Sequence, residues 1–77
     1  MNEGKGIIMP LTDLNKLFGV EHDVSYYDNL LKYHKVIIRA VRNTTQKQVA
    51  EAIRMSAPKF SAVYRVLLAY EDAQNDT

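Results

Sequence analysis

Residues 44–65, TTQKQVAEAIRMSAPKFSAVYR, read as two short helices joined by a tight turn, and the rest of the chain is arranged around them. Thr45 opens the first helix. With Gln48 three residues on it forms a capping box, in which two otherwise orphaned backbone donors find partners. Val49, Ala50 and Ile53 then share one face at the i, i+1, i+4 spacing of an inward stripe. Ala50 is small enough to let a second helix cross closely. Arg54-Met55-Ser56 forms the turn, with Met55 filling the core and Ser56 capping the next helix. Pro58 fits a first helical turn, where its missing N–H has no partner to lose. Phe60 and Val63 point back at Val49 and Ile53.

The chain has 77 residues, enough for one small domain with a modest core. It contains no cysteine, so neither disulfides nor a cysteine-based zinc site can staple it. His22 and His34 are too few and too far apart for a metal site, and no cofactor is implied. The core must come from helix packing or from a second copy of the chain. No apolar run approaches the roughly 20 residues of a membrane span. No signal-peptide pattern opens the sequence, so the expected location is the cytoplasm, with no membrane partner.

A net charge of +1 conceals a strong asymmetry. Residues 1–31 set Lys5 and Lys16 against Glu3, Asp13, Glu21, Asp23 and Asp28, two positive against five negative, for −3. Residues 32–65 set Lys32, Lys35, Arg39, Arg42, Lys47, Arg54, Lys59 and Arg65 against Glu51, eight against one, for +7. The tail holds Glu71, Asp72 and Asp76, for −3. A basic middle that coincides with the paired helices is the electrostatic footprint of a DNA reader.

Working outward, Met1 to Gly6 is polar and reads as a frayed end, part of a flexible arm over 1–10. Ile7-Ile8-Met9 is a short apolar run stopped by Pro10, either a brief strand or an arm that packs on a neighbour. A helix over 11–18 takes Thr12 as N-cap and Gly19 as C-cap, with Leu14, Leu17 and Phe18 as its buried stripe. Asp23 or Ser25 caps a long helix to about Arg42, where Tyr27, Leu30, Leu31, His34, Ile37, Ile38 and Val41 recur at helical spacing. His34 on that stripe reads as a core or interface histidine bonded to a carbonyl, and His22 as a surface residue. Beyond Ser56 a helix runs to about Tyr70. Its second half is apolar almost all round, so Tyr64, Val66, Leu67, Leu68 and Tyr70 are assigned to a contact with another chain. Residues 72–77 read as a disordered tail. The expected fold is all-α: four helices near 11–18, 25–42, 45–53 and 57–70, in a domain spanning 11–71.

The 45–61 pattern resembles the helix-turn-helix of lambda-repressor-like regulators, in particular phage lysogeny activators of the lambda CII type. Thr45, Gln46, Val49, Ala50, Glu51, Ile53, Met55, Ser56 and Ser61 meet the family pattern. Arg54 stands where the family has glycine, and Phe60 where it has Ile or Val. If the turn needs φ > 0, a non-glycine residue at Arg54 carries a penalty of about 1 kcal/mol, and Arg54→Gly would then stabilise the fold. The resemblance implies a DNA-binding transcriptional regulator of phage or mobile-element type. It would occupy its operator as a dimer, with two recognition helices in successive major grooves. The base-facing residues would be Ala57, Pro58, Lys59, Ser61, Ala62 and Arg65, with Lys59 donating to guanine and Ala57 or Ala62 touching a thymine methyl. Gln46 matches the family glutamine that grips phosphate; Arg42, Thr44, Thr45, Lys47 and Arg54 are placed for further phosphate contacts. Ala57, Pro58 and Ala62 discriminate bases weakly, which leans specificity toward DNA shape or a partner. The partners named by this reading are double-stranded DNA, a second copy of the chain, and RNA polymerase.

Two other readings compete. LTDLNKLFGV over 11–20 also resembles the first helix and turn of a helix-turn-helix, and it carries the glycine that the later stretch lacks. There, however, Glu21, His22 and Asp23 would start the groove-facing helix, where phosphates repel carboxylates. For the whole protein, the alternative is a helical protein-interaction module, antitoxin-like or a phage inhibitor, whose apolar last helix docks on a partner. Catalysis is not expected. No Ser, His and carboxylate set emerges from the spacing, no glycine-rich phosphate loop exists, and Glu51 reads as a salt-bridge partner.

Overall fold

The computed structural model describes residues 9–75 and builds them into five helices, with no strand among the described residues. They are α1 (Leu11–Leu17), α2 (Val24–Lys32), α3 (His34–Asn43), α4 (Gln46–Ala52) and α5 (Ala57–Asn75). Local chemistry sets several of the boundaries. The Asp23 carboxylate accepts from the Tyr26 amide at 3.0 Å and opens α2. Thr45 Oγ1 accepts from the Gln48 amide at 3.1 Å and opens α4. The Gln48 side chain accepts from the Thr45 hydroxyl at 3.4 Å, where the expected capping box would have it reach the Thr45 amide. Pro10, not Thr12, precedes α1, and its carbonyl receives the amides of Asp13 and Leu14 at 3.0 and 3.1 Å.

The long helix expected over 25–42 is two helices. The chain breaks at Tyr33, with φ −106° and ψ 24°. At the joint the Leu31 carbonyl accepts from His34 Nδ1 at 2.8 Å. The same ring reaches Glu71 Oε1 through Nε2 at 2.7 Å, and meets the Tyr70 ring edge-on at 4.9 Å. His34 is thus a buried histidine bonded to a carbonyl, as expected, and it also fastens the joint to α5. The Asn75 amide foremost, then His34 and Lys35, hold the Glu71 carboxyl below its usual range against the opposing effect of desolvation. The break splits the apolar stripe. Leu30, His34, Ile37, Ile38 and Ala40 are buried, whereas Tyr27 and Leu31 stay exposed.

Two ends differ from expectation as well. α1 stops at an extended Phe18 (φ −117°, ψ 125°) rather than at a left-handed Gly19. α5 continues past Tyr70 to Asn75, through residues read as the start of a disordered tail. There Asn75 Nδ2 donates to Glu71 Oε2 at 3.1 Å, an i, i+4 bond that supports the last turn. Of the expected arm, Met9 packs against the core; residues 1–8 and 76–77 lie outside the described residues.

One buried cluster joins Leu14, Phe18, Tyr26, Leu30, Ile37, Ile38, Ala40, Val49, Ala50, Ile53, Met55, Phe60 and Leu67. Full burial of each large apolar side chain is worth about 1.5–3 kcal/mol. α5 packs on α3 and α4, α1 and α3 also pack on α4, and α2 packs on α3. The short α4 is therefore central, and its junction with α5 is supported from several sides. Among the described residues, no helix is long and apolar enough to cross a membrane.

Candidate nucleic-acid interface

The α4–α5 junction is a tight turn whose handedness is carried by Arg54 at φ 63°. The Met55 amide donates to Ala50 O at 2.9 Å and the Arg54 amide to Glu51 O at 3.1 Å. These two bonds make the Schellman arrangement, which requires a left-handed residue just past the helix C-cap. Met55 is buried beside Ala50, supplying the apolar contact that accompanies it. The glycine position of the family pattern is thus a positive-φ position here, filled by arginine.

The arginine side chain explains the choice. Arg54 Nε donates to Phe18 O at 2.7 Å, and Nη2 to Asn15 Oδ1 at 3.2 Å, tying the turn to the end of α1. A hydrogen bond from a charged donor contributes about 1.5–3 kcal/mol when sheltered. Even discounted for solvent exposure, such bonds offset a φ cost of about 1 kcal/mol. The condition under which glycine would stabilise this site, a positive φ, is met, but glycine would also remove both bonds.

Three consecutive carbonyls at the end of α4 are also taken, each by a side chain from the N-terminal third. Ala52 O accepts from Asn15 Nδ2 at 2.7 Å, Ile53 O from Tyr26 Oη at 2.5 Å, and Arg54 O from His22 Nε2 at 2.9 Å. A helix end leaves such carbonyls without intrahelical partners. Burial foremost, with Tyr27 nearby, pushes the Tyr26 hydroxyl up to about 12. His22 is half-buried and stacks on Tyr26 at 4.1 Å, so it is part of this brace and not a free surface residue. No local pattern marks Asn15, His22 and Tyr26 for this role. The one available signal was Arg54, a non-glycine residue in a glycine position.

The start of α5 has the expected cap and core contact. The Lys59 amide donates to Ser56 Oγ at 3.4 Å, and Phe60 is fully buried against the α4 side. Ala57, Pro58, Lys59, Ala62 and Arg65 are exposed, and Ser61 is half-buried. Lys59 is restrained, since its ammonium donates to Tyr27 Oη at 2.8 Å and to His22 Nδ1 at 3.2 Å. With a carbonyl on Nε2 and an ammonium on Nδ1, the His22 hydrogen is assigned to Nε2.

Among the proposed phosphate contacts, Arg42, Gln46 and Lys47 are exposed around the α3–α4 junction. Thr44 and Thr45 are exposed too, but their hydroxyls are used locally. Thr44 Oγ1 donates to Ala40 O at 2.6 Å, and Thr45 Oγ1 is the α4 cap. Arg54 has its guanidinium on α1. Of the residues assigned to a chain contact, Leu67 belongs to the core, because the α5 stripe facing α3 and α4 passes through it. Tyr64 and Leu68 are packed against the core, Tyr64 stacking on Phe60 at 5.8 Å. Val66 and Tyr70 remain exposed.

The 11–20 stretch does not form a second such turn. Gly19 is not left-handed, Val20 is 76% exposed, and Phe18–Asp23 separates α1 from α2. The chain matches no family model, no curated protein and no solved structure.

Proposed function

We infer that this protein is a small transcriptional regulator of phage or mobile-element type that binds double-stranded DNA in the cytoplasm, as a dimer, through α4 and α5. The observation that carries the reading is the left-handed Arg54 turn, which joins a capped α4 to an α5 whose outward side bears Pro58, Ala62 and Arg65. That side is free to enter a major groove, while Arg42, Gln46 and Lys47 reach flanking phosphates. Lys59 serves as a phosphate or base-edge contact only if it leaves Tyr27 and His22. Base readout thus falls on Arg65 and on apolar contacts, with DNA shape supplying the remainder. A single unit offers few contacts, so two copies are needed for tight binding, with half-sites about 34–36 Å apart.

The test is duplex binding across a salt series. A dimer that neutralises six or more phosphates loses about a thousandfold in affinity between roughly 50 and 200 mM salt. Lys47→Ala and Arg65→Ala should each weaken binding while leaving the melting transition in place. A second reading, a helical protein-interaction module, is favoured by the apolar groove between α2 and α5 and by the restraint on Lys59. Absence of affinity for any duplex at low salt would favour it.

A further inference from the structure

His22 and His34 are the two histidines of the chain, and the fold gives their rings opposite surroundings. His22 has a carbonyl on one nitrogen, Arg54 O at 2.9 Å from Nε2, and an ammonium on the other, Lys59 Nζ at 3.2 Å from Nδ1. One ring hydrogen satisfies both contacts, so a neutral ring fits. His34 has an acceptor at each nitrogen: Leu31 O at 2.8 Å from Nδ1, and Glu71 Oε1 at 2.7 Å from Nε2. A carbonyl and an ionised carboxylate have no hydrogen to give, and a neutral imidazole has one. A neutral ring would therefore set a bare nitrogen against an oxygen at hydrogen-bond distance. The His34 side chain is 7% exposed, so water is not there to fill the missing bond. Two ring hydrogens, with the positive charge they bring, satisfy both partners.

The carboxylate is supported in its charged form. Glu71 Oε2 accepts from Asn75 Nδ2 at 3.1 Å, so each oxygen meets a donor. The titratable and charged groups around the ring come from three helices. Glu71 and Tyr70 lie on α5, Lys35 on α3 itself, and Lys32 at the end of α2, where its ammonium stands 5.4 Å from the Tyr33 ring centre. Both lysines are exposed and screened by solvent, whereas the Glu71 oxygen is in direct contact.

We propose that His34 is an imidazolium ion in the folded protein, and that its pair with the Glu71 carboxylate is a pH-sensitive clasp between the α2–α3 joint and the end of α5. The clasp is closed while the ring holds both hydrogens. When one is lost, a bare nitrogen faces the carboxylate or the Leu31 carbonyl, and a contact that held the joint becomes repulsive. The charged ring makes two bonds that the neutral ring cannot. Its stabilisation is therefore present at low pH and is lost as pH rises through the range, about pH 5 to 8, in which histidine changes charge. The Glu71 carboxyl, held below its usual value of 4.5, sets the acid limit: its contribution is present above pH 4.5 and is lost as pH falls further. At 1.5 Å per residue Glu71 lies about 20 Å along α5 from Pro58. Opening the clasp thus loosens the far end of α5 and leaves the Arg54 turn in place. The device is independent of the DNA reading and would serve a protein-interaction module equally.

The test is nitrogen-15 NMR of the two imidazole rings in the full chain across the neutral pH range, with thermal melts of wild type and Glu71→Gln. As pH rises, His34 should keep a hydrogen on both nitrogens after His22 has become neutral with its hydrogen on Nε2. The wild-type melting midpoint should fall by about 5–10 °C between roughly pH 6 and pH 9. In Glu71→Gln the amide can donate to a bare Nε2, so a neutral ring is satisfied and that fall should disappear. His22 titrates in both chains and drops out of the comparison, and Tyr26 titrates above this range. A His34 ring that loses its second hydrogen together with His22 or before it would overturn the proposal. So would a decline that Glu71→Gln reproduces in full. Should Glu71→Gln lose helicity by circular dichroism, the wild-type spectra decide alone.

Discussion

Two stretches of this chain look alike in sequence, and only one makes a left-handed turn. α1 and α4 are both seven residues long. Aligned on their ends, Leu14 matches Val49, Phe18 matches Ile53, Gly19 matches Arg54 and Val20 matches Met55. Conformational freedom favours the first stretch, since glycine enters the left-handed region at no steric cost. The structure does the opposite, with Arg54 at φ 63° and Gly19 outside that region. The difference lies in the residues beyond each turn. Met55 is 5% exposed beside Ala50, while Val20 stands in solvent and Asn15, in the place of Ala50, has turned its amide to Ala52 O. Phe60 seats the second helix of the pair, and its counterpart is the exposed Ser25. A turn of this kind is decided by whether the residues after it find a core, and glycine is optional when side chains secure the turn.

The largest break in this contrast comes from the seat itself. Phe60→Ala should cost about 3–5 kcal/mol, read as a fall in the urea midpoint, since a fully buried ring leaves a cavity. Ser25→Ala at the matching place should shift the midpoint little.

Next in size is the turn residue. Arg54→Ala keeps the left-handed strain and loses both bonds to α1, for a cost of about 1–2 kcal/mol. Arg54→Gly loses the same bonds but relieves the strain, and should be the more stable variant by about 1 kcal/mol. Chemical denaturation of the pair reads that gap; equal stabilities would mean that φ at this position carries no cost.

Tyr26→Phe should cost about 1 kcal/mol by removing the donor to Ile53 O. It should also change the response to alkali. The folded hydroxyl titrates at about 12 against 10.0 in the unfolded chain, so folding favours its protonated form. The stability this contributes is fully present below pH 10 and is lost as pH rises toward 12. Thermal melts over that range should show a decline that is smaller in Tyr26→Phe. The smallest effect belongs to Gly19→Ala, because an added Cβ would meet nothing within 4 Å. A change within about 0.5 kcal/mol is expected; a large loss would give Gly19 a backbone role that Arg54 was found to have instead.

Much of the fold was legible because it is written in local pattern. The caps at Asp23, Thr45 and Ser56, and the inward set Val49, Ala50, Ile53, Met55 and Phe60, depend on residues close in sequence. The break at Tyr33 was not legible, since His34 and Glu71, 37 positions apart, meet only in the folded chain. The brace at the end of α4 was hidden for the same reason. Asn15, His22 and Tyr26 lie 27–37 positions from the carbonyls they serve, and no periodicity marks such pairs. On α5, apolar residues all round left no stripe to choose. Neighbouring helices put Leu67 inside and leave Val66 out. For the candidate interface, the sequence indicated the position and charge of Lys59 but not the tyrosine and histidine that hold it.

The central claim is that the secured α4–α5 unit presents α5 to DNA. Selection of bound duplexes from a random pool at low salt tests it most directly. The account predicts recovery of a common sequence with two-fold symmetry and half-sites about one helical turn apart, whose affinity falls steeply with salt. A pool that yields no enriched duplex, from protein that is folded and dimeric, would contradict it.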